Sequence, residues 1–422
     1  MRLSIFSLPL LFVLAACKIT QPAAQASEGA DAASAAALPA ASAATDPLSA
    51  HDPVGDAAAN DPMPDSEARP LMQAQVVLDR LGFTPGVVDG KVGSSTKNAI
   101  SGFQEANSMP VSGTLDQATK AALAQYANIT ATRVVTIPTE FATGPFLKIP
   151  AGPQEQAKLT ALGYESLDEK LAERFHTTVA TLKLLNPGGK PAMAAGAATA
   201  PGGSPGGSPS DASEAMPSAS PSASASPSPS PGASPSAAAG PASIFAAGQQ
   251  IRVPNVGGDK IAAGSVDDTG WQSTLTMLGV GSDQPKVDRI VVSKSKGTLK
   301  GYDAAGKLIA VYTATMGSTH DPLPLGNWGI TGVGRNPKFN YNPKLFWDAK
   351  PGSKKATLPA GPNGPVGVVW IDLTKEHYGI HGTPHPETIG RAESHGCVRL
   401  TNWDVARLAQ MVSVKTKVVF EA

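Results

Sequence analysis

Between Gly188 and Ala242 the chain is written mostly in Pro, Ala, Ser and Gly, including the run Ser226-Pro227-Ser228-Pro229-Ser230-Pro231. Such a tract has too little apolar surface to offset the entropy of ordering its backbone. A second stretch of similar character, rich in Ala, Ser, Pro and Asp, fills residues 17–66. The 422 residues therefore cannot share one core, and the globular parts must lie outside these tracts. Residues 17–66 are expected to be a disordered tether and 188–242 a disordered insertion. The intervals left for folding are 67–127, 160–187 together with 243–256, and 285–422.

The N-terminus reads as an export signal over 1–16. Met1-Arg2 is followed by a mostly apolar run from Leu3 to Ala16 and then by Cys17. That run is shorter than the about 20 residues a membrane-spanning helix needs. Leu14-Ala15-Ala16-Cys17 resembles the lipobox of bacterial lipoproteins. The resemblance implies that Cys17 is lipidated and becomes the new N-terminus. With Lys18 following, it implies a periplasmic protein anchored by lipid to the outer membrane. The chain has 2 cysteines, so Cys397 is then the one free thiol, and no intramolecular disulfide can form.

Net charge is zero but unevenly placed. From Pro285 onward there are 18 Lys/Arg against 10 Asp/Glu, and the rest of the chain carries the opposite imbalance. A basic C-terminal domain suits an anionic partner bearing carboxylates. No nucleic-acid-binding motif and no Gly-rich phosphate loop is present.

Residues 67–127 predict three short helices around one small core. Leu71, Val76-Val77-Leu78 and Leu81 form an apolar face that ends at Gly82. Ala99, Ile100 and Phe103 form a second, and Leu115, Ala118 and Ala121 to Leu123 a third. The pattern Leu81-Gly82-Phe83, Asp89-Gly90-Lys91-Val92-Gly93, Ala99-Ile100, Phe103-Gln104 and Gly113-Thr114-Leu115 resembles the peptidoglycan-binding type 1 domain. The next interval holds a capped helix, with Ser166 as N-cap and Glu169 three residues on, and a second helix over 179–186. Beyond the insertion, Phe245 to Pro254 resembles the closing strand of a lysin motif. The two pieces, 160–187 and 243–256, are read as one βααβ unit split by a long insertion, which closure entropy tolerates because it grows slowly with length.

From 285 the period changes to that of strands, at 288–293, 307–313, 366–373 and 417–420, with a turn at Asp303 to Gly306 and one helix ending near Met411. A β-rich, β-sandwich-like domain is expected over 285–422. Ser394-His395-Gly396-Cys397 places a lone thiol among residues suited to acyl transfer. His381 stands at the end of the apolar segment Tyr378-Gly379-Ile380 as a general base. Gly382 and Gly396 permit close approach and unusual backbone angles. His381 and His385 share a helical spacing, but Pro384 and Pro386 forbid a helix there, so no metal site is expected.

His381-Gly382-Thr383 with Ser394-His395-Gly396-Cys397-Val398-Arg399-Leu400 resembles the signature of the L,D-transpeptidase catalytic domain. Pro324-Leu325-Gly326, Tyr341 to Trp347 and Pro359 to Gly367 resemble its substrate-groove segments. The resemblance implies Cys397 as nucleophile, His381 as base and the Gly382 carbonyl as the group orienting His381. It implies an oxyanion hole from the backbone N–H groups of His395, Gly396 and Cys397, and Ser394 and Arg399 at the substrate. It needs no cofactor. The implied substrate is a peptidoglycan tetrapeptide stem: Cys397 takes the acyl group of meso-diaminopimelate, D-alanine leaves, and an amine opens the thioester. A second stem gives a cross-link and a protein gives wall attachment. A free D-amino acid gives exchange, and water gives carboxypeptidase activity. The rival reading is a non-catalytic lipoprotein that binds the wall and tethers the outer membrane.

Overall fold

The computed structural model describes residues 64–193, 238–257 and 265–422. The export signal with Cys17, nearly all of the tether and the centre of the insertion lie outside the described residues. Helices α1 (Pro70–Arg80), α2 (Ser94–Ala106) and α3 (Gln117–Leu123) form the first module. Proline begins α1, where a missing N–H costs nothing. Asp116 caps α3 by accepting from the Thr119 amide. Two buried glutamines organise the turns. Gln75 accepts from the amides of Asp89 and Gly90, and Gln104 from those of Ser112 and Gly113.

The middle module is β1 (Thr132–Thr136), the single turn α4 (Pro153–Gln156), α5 (Leu167–Arg174), α6 (Val179–Leu185) and β2 (Gln250–Pro254). Strands β1 and β2 pair antiparallel, Val134 opposite Arg252. The Ser166 hydroxyl accepts from the Glu169 amide at 3.1 Å. The strand that pairs with β2 lies at 132–136, ahead of the 160–187 interval in which the sequence reading began this unit.

The third module holds α7 (Thr269–Leu278), β3 (Arg289–Ser293), β4 (Thr298–Tyr302), β5 (Leu308–Thr313), β6 (Thr315–Met316), β7 (Gly326–Arg335), β8 (Phe339–Tyr341), β9 (Ala356–Leu358), β10 (Val369–Leu373), β11 (Gly379–His381), β12 (Val398–Arg399), α8 (Asn402–Met411) and β13 (Lys417–Glu421). Nine strands run in the order β5-β4-β3-β13-β7-β10-β11-β12-β6. Strand β7 pairs with β13 over 326–329 and with β10 from Ile330 onward, so the sheet changes partners along one strand. Trp271, Leu275 and Leu278 of α7 are fully buried in the same cluster as Ile290, Val369, Ile380, Val398, Trp403 and Leu408. The core of this module therefore begins at α7, upstream of the expected boundary at 285.

The first module does not keep a core to itself, contrary to the expectation. Met72, Val76 and Val88 pack into the middle module with Leu171 and Phe175. Leu78, Phe83, Ile100 and Phe103 pack instead on Leu308 and Val311 of the edge strand β5. Phe83 forms a parallel bridge with Val311, which covers a sheet edge that would otherwise expose unpaired backbone.

Candidate active site

Register places the reactive groups. Strands β11 and β12 are parallel, with Ile380 opposite Val398 and His381 opposite Arg399. Ile380 and Val398 are fully buried in the core. Side chains alternate along a strand, so His381 and Arg399 share the opposite face, and Cys397 immediately precedes β12. Trp370 pairs with His381 across β10 and β11, and the two rings stack with centroids 5.4 Å apart. Gly379 is required there, because a Cβ would lie 2.6 Å from the Trp370 ring. Gly396 has φ +94, and a Cβ would meet the Tyr378 ring at 2.4 Å. Only glycine lets the loop before Cys397 lie this close to Tyr378.

The His381 ring is buried, and its Nδ1 lies 2.7 Å from the Gly382 carbonyl. A carbonyl only accepts, so Nδ1 carries the proton and Nε2 is left unprotonated. Burial, with the Arg399 charge beside it, pushes the imidazole down to about 3, against the pull of the Gly382 carbonyl. Cys397 is half-buried. Burial raises its thiol above the ordinary value, opposed by the Gly379 amide and by Arg399. Its Sγ lies 3.7 Å from the carbonyl of His377, and no hydrogen bond to His381 is formed. Both groups are thus neutral at rest, and an ionised sulfur paired with imidazolium is not the ground state.

Arg399 Nη1 is 3.4 Å from the Glu393 carbonyl, and its Nε is buried with no partner among the described residues. Desolvation weakens the hold of this guanidinium on its proton, while Cys397 and Asp348 strengthen it. The backbone N–H groups of His395, Gly396 and Cys397 donate to no backbone carbonyl among the described residues. Ser394 is placed differently from the expectation of a substrate contact. It is buried, its hydroxyl donates to the Cys397 carbonyl at 2.6 Å, and it accepts from the Gly317 amide at 2.6 Å. Its hydrogen bonds are spent on fastening the Cys397 loop to the end of β6.

The β8–β9 hairpin lies over this loop. His395 Nε2 meets Asp348 Oδ1 at 2.9 Å, and its ring packs edge-on against Phe346 at 5.1 Å. Trp347 stacks on His320 at 4.4 Å and lies 5.8 Å from His395. The sequence reading gave no part in the site to Asp348, His320, His377, Tyr378 and Asn402. Strand pairing and the β8–β9 hairpin give them their place at the site, and adjacency to a recognised segment alone does not reveal it. A cleft of about 120 Å³ separates α5 and α6 from the Pro384–Glu387 loop. It is far smaller than sites that enclose organic ligands, and neither Cys397 nor His381 lines it.

A model of the L,D-transpeptidase catalytic domain, YkuD, matches residues 287–420. A model described as "Putative peptidoglycan binding domain" matches residues 69–123. A protein named "Putative L,D-transpeptidase YkuD" from Bacillus licheniformis is 31% identical over 165 residues, covering 39% of this chain and 79% of that one. Its namesake in Bacillus subtilis is 53% identical over 57 residues, 14% of this chain and 35% of that one. "Probable L,D-transpeptidase YbiS" of Escherichia coli is 32% identical over 136 residues, 31% of this chain and 44% of that one. The chain thus spans less than two thirds of the second and third of these relatives.

Proposed function

The chain belongs to the L,D-transpeptidase family, and from that premise we propose that it transfers acyl groups of peptidoglycan stem peptides through a thioester on Cys397. The observation that carries the reading is the common face of β11 and β12 on which His381 and Arg399 lie, with Cys397 directly before β12 and beside the Arg399 charge. The Cys397 sulfur attacks the carbonyl of the third stem residue, meso-diaminopimelate. As the S–C bond forms, His381 Nε2 takes the thiol proton. With a raised thiol and a lowered imidazole, that transfer is concerted with attack and does not precede it. The negative charge on the carbonyl oxygen is received by the amides of His395, Gly396 and Cys397. Collapse breaks the C–N bond, and the imidazolium returns its proton to the departing D-alanine amine. An acceptor amine then attacks the thioester by the reverse sequence and regenerates the thiol. Arg399, whose charge lies beside both His381 and Cys397, is the cation that holds a stem carboxylate in this reading.

The other modules are read as wall-directed. The antiparallel β1–β2 pair with α5 and α6 between them supports a lysin-motif-like unit. The apolar run ending at Cys17 supports lipidation there and a place at the outer membrane. The test is mass spectrometry of the purified protein incubated with tetrapeptide muropeptides. A thioester adduct and D-alanine release are expected, with an amine-linked dimer as product and free tripeptide as the sign of hydrolysis. The Cys397→Ala variant is expected to give none of these, and product formation by that variant would overturn the assignment.

A further inference from the structure

One buried carboxyl from the middle module reaches the catalytic module. Glu173, on α5, accepts a hydrogen bond at 2.8 Å from Asn402 Nδ2 at the start of α8. Its other oxygen accepts from the Tyr164 hydroxyl, also of the middle module. Glu173 is 7% exposed, at the edge of the cleft between α5, α6 and the Pro384–Glu387 loop, and Asn402 is fully buried. The second Asn402 N–H goes to the Pro362 carbonyl at 3.1 Å, and Asn402 Oδ1 accepts from the Val368 amide at 3.3 Å. The amide is thus pinned on both sides, and it is wedged between two glycines. A Cβ on Gly367 would lie 1.9 Å from Asn402 Oδ1, and one on Gly382 would lie 2.2 Å from it. Gly382 supplies the carbonyl that holds the Nδ1 proton of His381.

We propose that the middle module is a working part of the active site, with Glu173 acting as a positioning residue for His381 through Asn402 and the Gly382 backbone. Glu173 touches neither thiol nor substrate. It fixes the rotamer of Asn402, Asn402 fixes the plane of the Gly382 peptide, and that carbonyl fixes the tautomer and tilt of the imidazole. An error at the end of such a chain displaces Nε2 from the thiol proton, and displacements of about 1 Å can cost on the order of 100-fold in rate. The inference rests on the thioester reading above and adds to it a requirement for a second module.

The experiment measures the rate of thioester formation on Cys397 at saturating tetrapeptide, normalised to folded protein, together with KM. Glu173→Ala is expected to lower that rate by roughly 10-fold or more while KM changes by less than about 2-fold. Glu173→Gln, which keeps an acceptor for Asn402, is expected to recover most of the rate. Asn402→Ala is expected to lose at least as much as Glu173→Ala, and the double variant no more than Asn402→Ala alone, since Glu173 acts through Asn402. Should Glu173→Ala fail to fold, Tyr164→Phe carries the test, with a smaller loss of rate in the same direction. A wild-type rate in Glu173→Ala, or in Tyr164→Phe when that variant stands in, would overturn the proposal, as would a loss confined to KM. Either result leaves the thioester reading standing, whereas absence of an adduct in the wild type would defeat that reading itself.

Discussion

At the scale of residues, the state of the thiol decides how the site works. Burial raises Cys397 while His381 is held neutral, so the sulfur is mostly protonated at neutral pH. Alkylation needs the thiolate. The rate at which iodoacetamide modifies Cys397 is therefore expected to climb steadily through pH 8 and 9, with no plateau near neutrality. A plateau below pH 7 would mean a preformed ion pair and would contradict the neutral ground state. Cys397 and His381 could be singled out in the sequence, because a lone cysteine flanked by glycine and a histidine at a strand end are local features. The function of Ser394 was not. Only the tertiary contact with Gly317 shows its hydroxyl already engaged on both sides.

Elements show a different limit. Strands β3, β5 and β13 carry apolar β-branched residues and could be read directly. Strand β7 holds four glycines among ten residues, Gly326, Gly329, Gly332 and Gly334, and glycine has little strand preference. It is nevertheless the strand on which the sheet changes partners. Helix α7 went unread because its stripe of Trp271, Leu275 and Leu278 is short and stands alone between irregular segments. Strand β1 is recognisable only through its pairing with β2, more than a hundred residues later. The β8–β9 hairpin was visible as an aromatic segment, yet its tie to the Cys397 loop was not. That tie rests on the contact of Asp348 with His395, whose side chains are 51% and 24% exposed. A pair of this exposure contributes about 0.2–1 kcal/mol. Asp348→Ala is therefore expected to loosen the hairpin and to speed Cys397 alkylation roughly 1.5- to 5-fold. An unchanged rate would show that the stacked aromatics alone hold the hairpin down.

For the whole molecule, what matters is a buried knot to which all three modules contribute. Asp79 of α1 receives a bidentate pair from Arg407 of α8, at 2.9 and 3.1 Å. His176, just after α5, meets the same carboxylate at 3.1 Å, and its ring stacks on Trp403 at 4.9 Å. Burial alone would raise Asp79, but Arg407 and His176 outweigh it and hold the carboxyl well below its ordinary range. Asp404, one turn from Arg407 on α8, goes the other way. Burial pushes it up to about 7, with Asp79 adding repulsion while Arg407 opposes, and both of its carboxyl oxygens are buried without a hydrogen-bond partner among the described residues. Its folded value is raised, so its contribution to stability is fully present below the unfolded carboxyl value near 4. That contribution is lost as pH rises through about 7. Asparagine has the same shape and stays neutral. Asp404→Asn is expected to gain stability relative to the wild type as pH increases from about 4 to 7 and then to hold a constant lead, because other titrating groups are common to both proteins. Urea midpoints measured across that range are the check. A difference independent of pH would mean that Asp404 is ionised in the fold and that Arg407 serves both carboxylates at once. A lead that follows the predicted window would show that this junction tolerates one buried charge pair and no second anion.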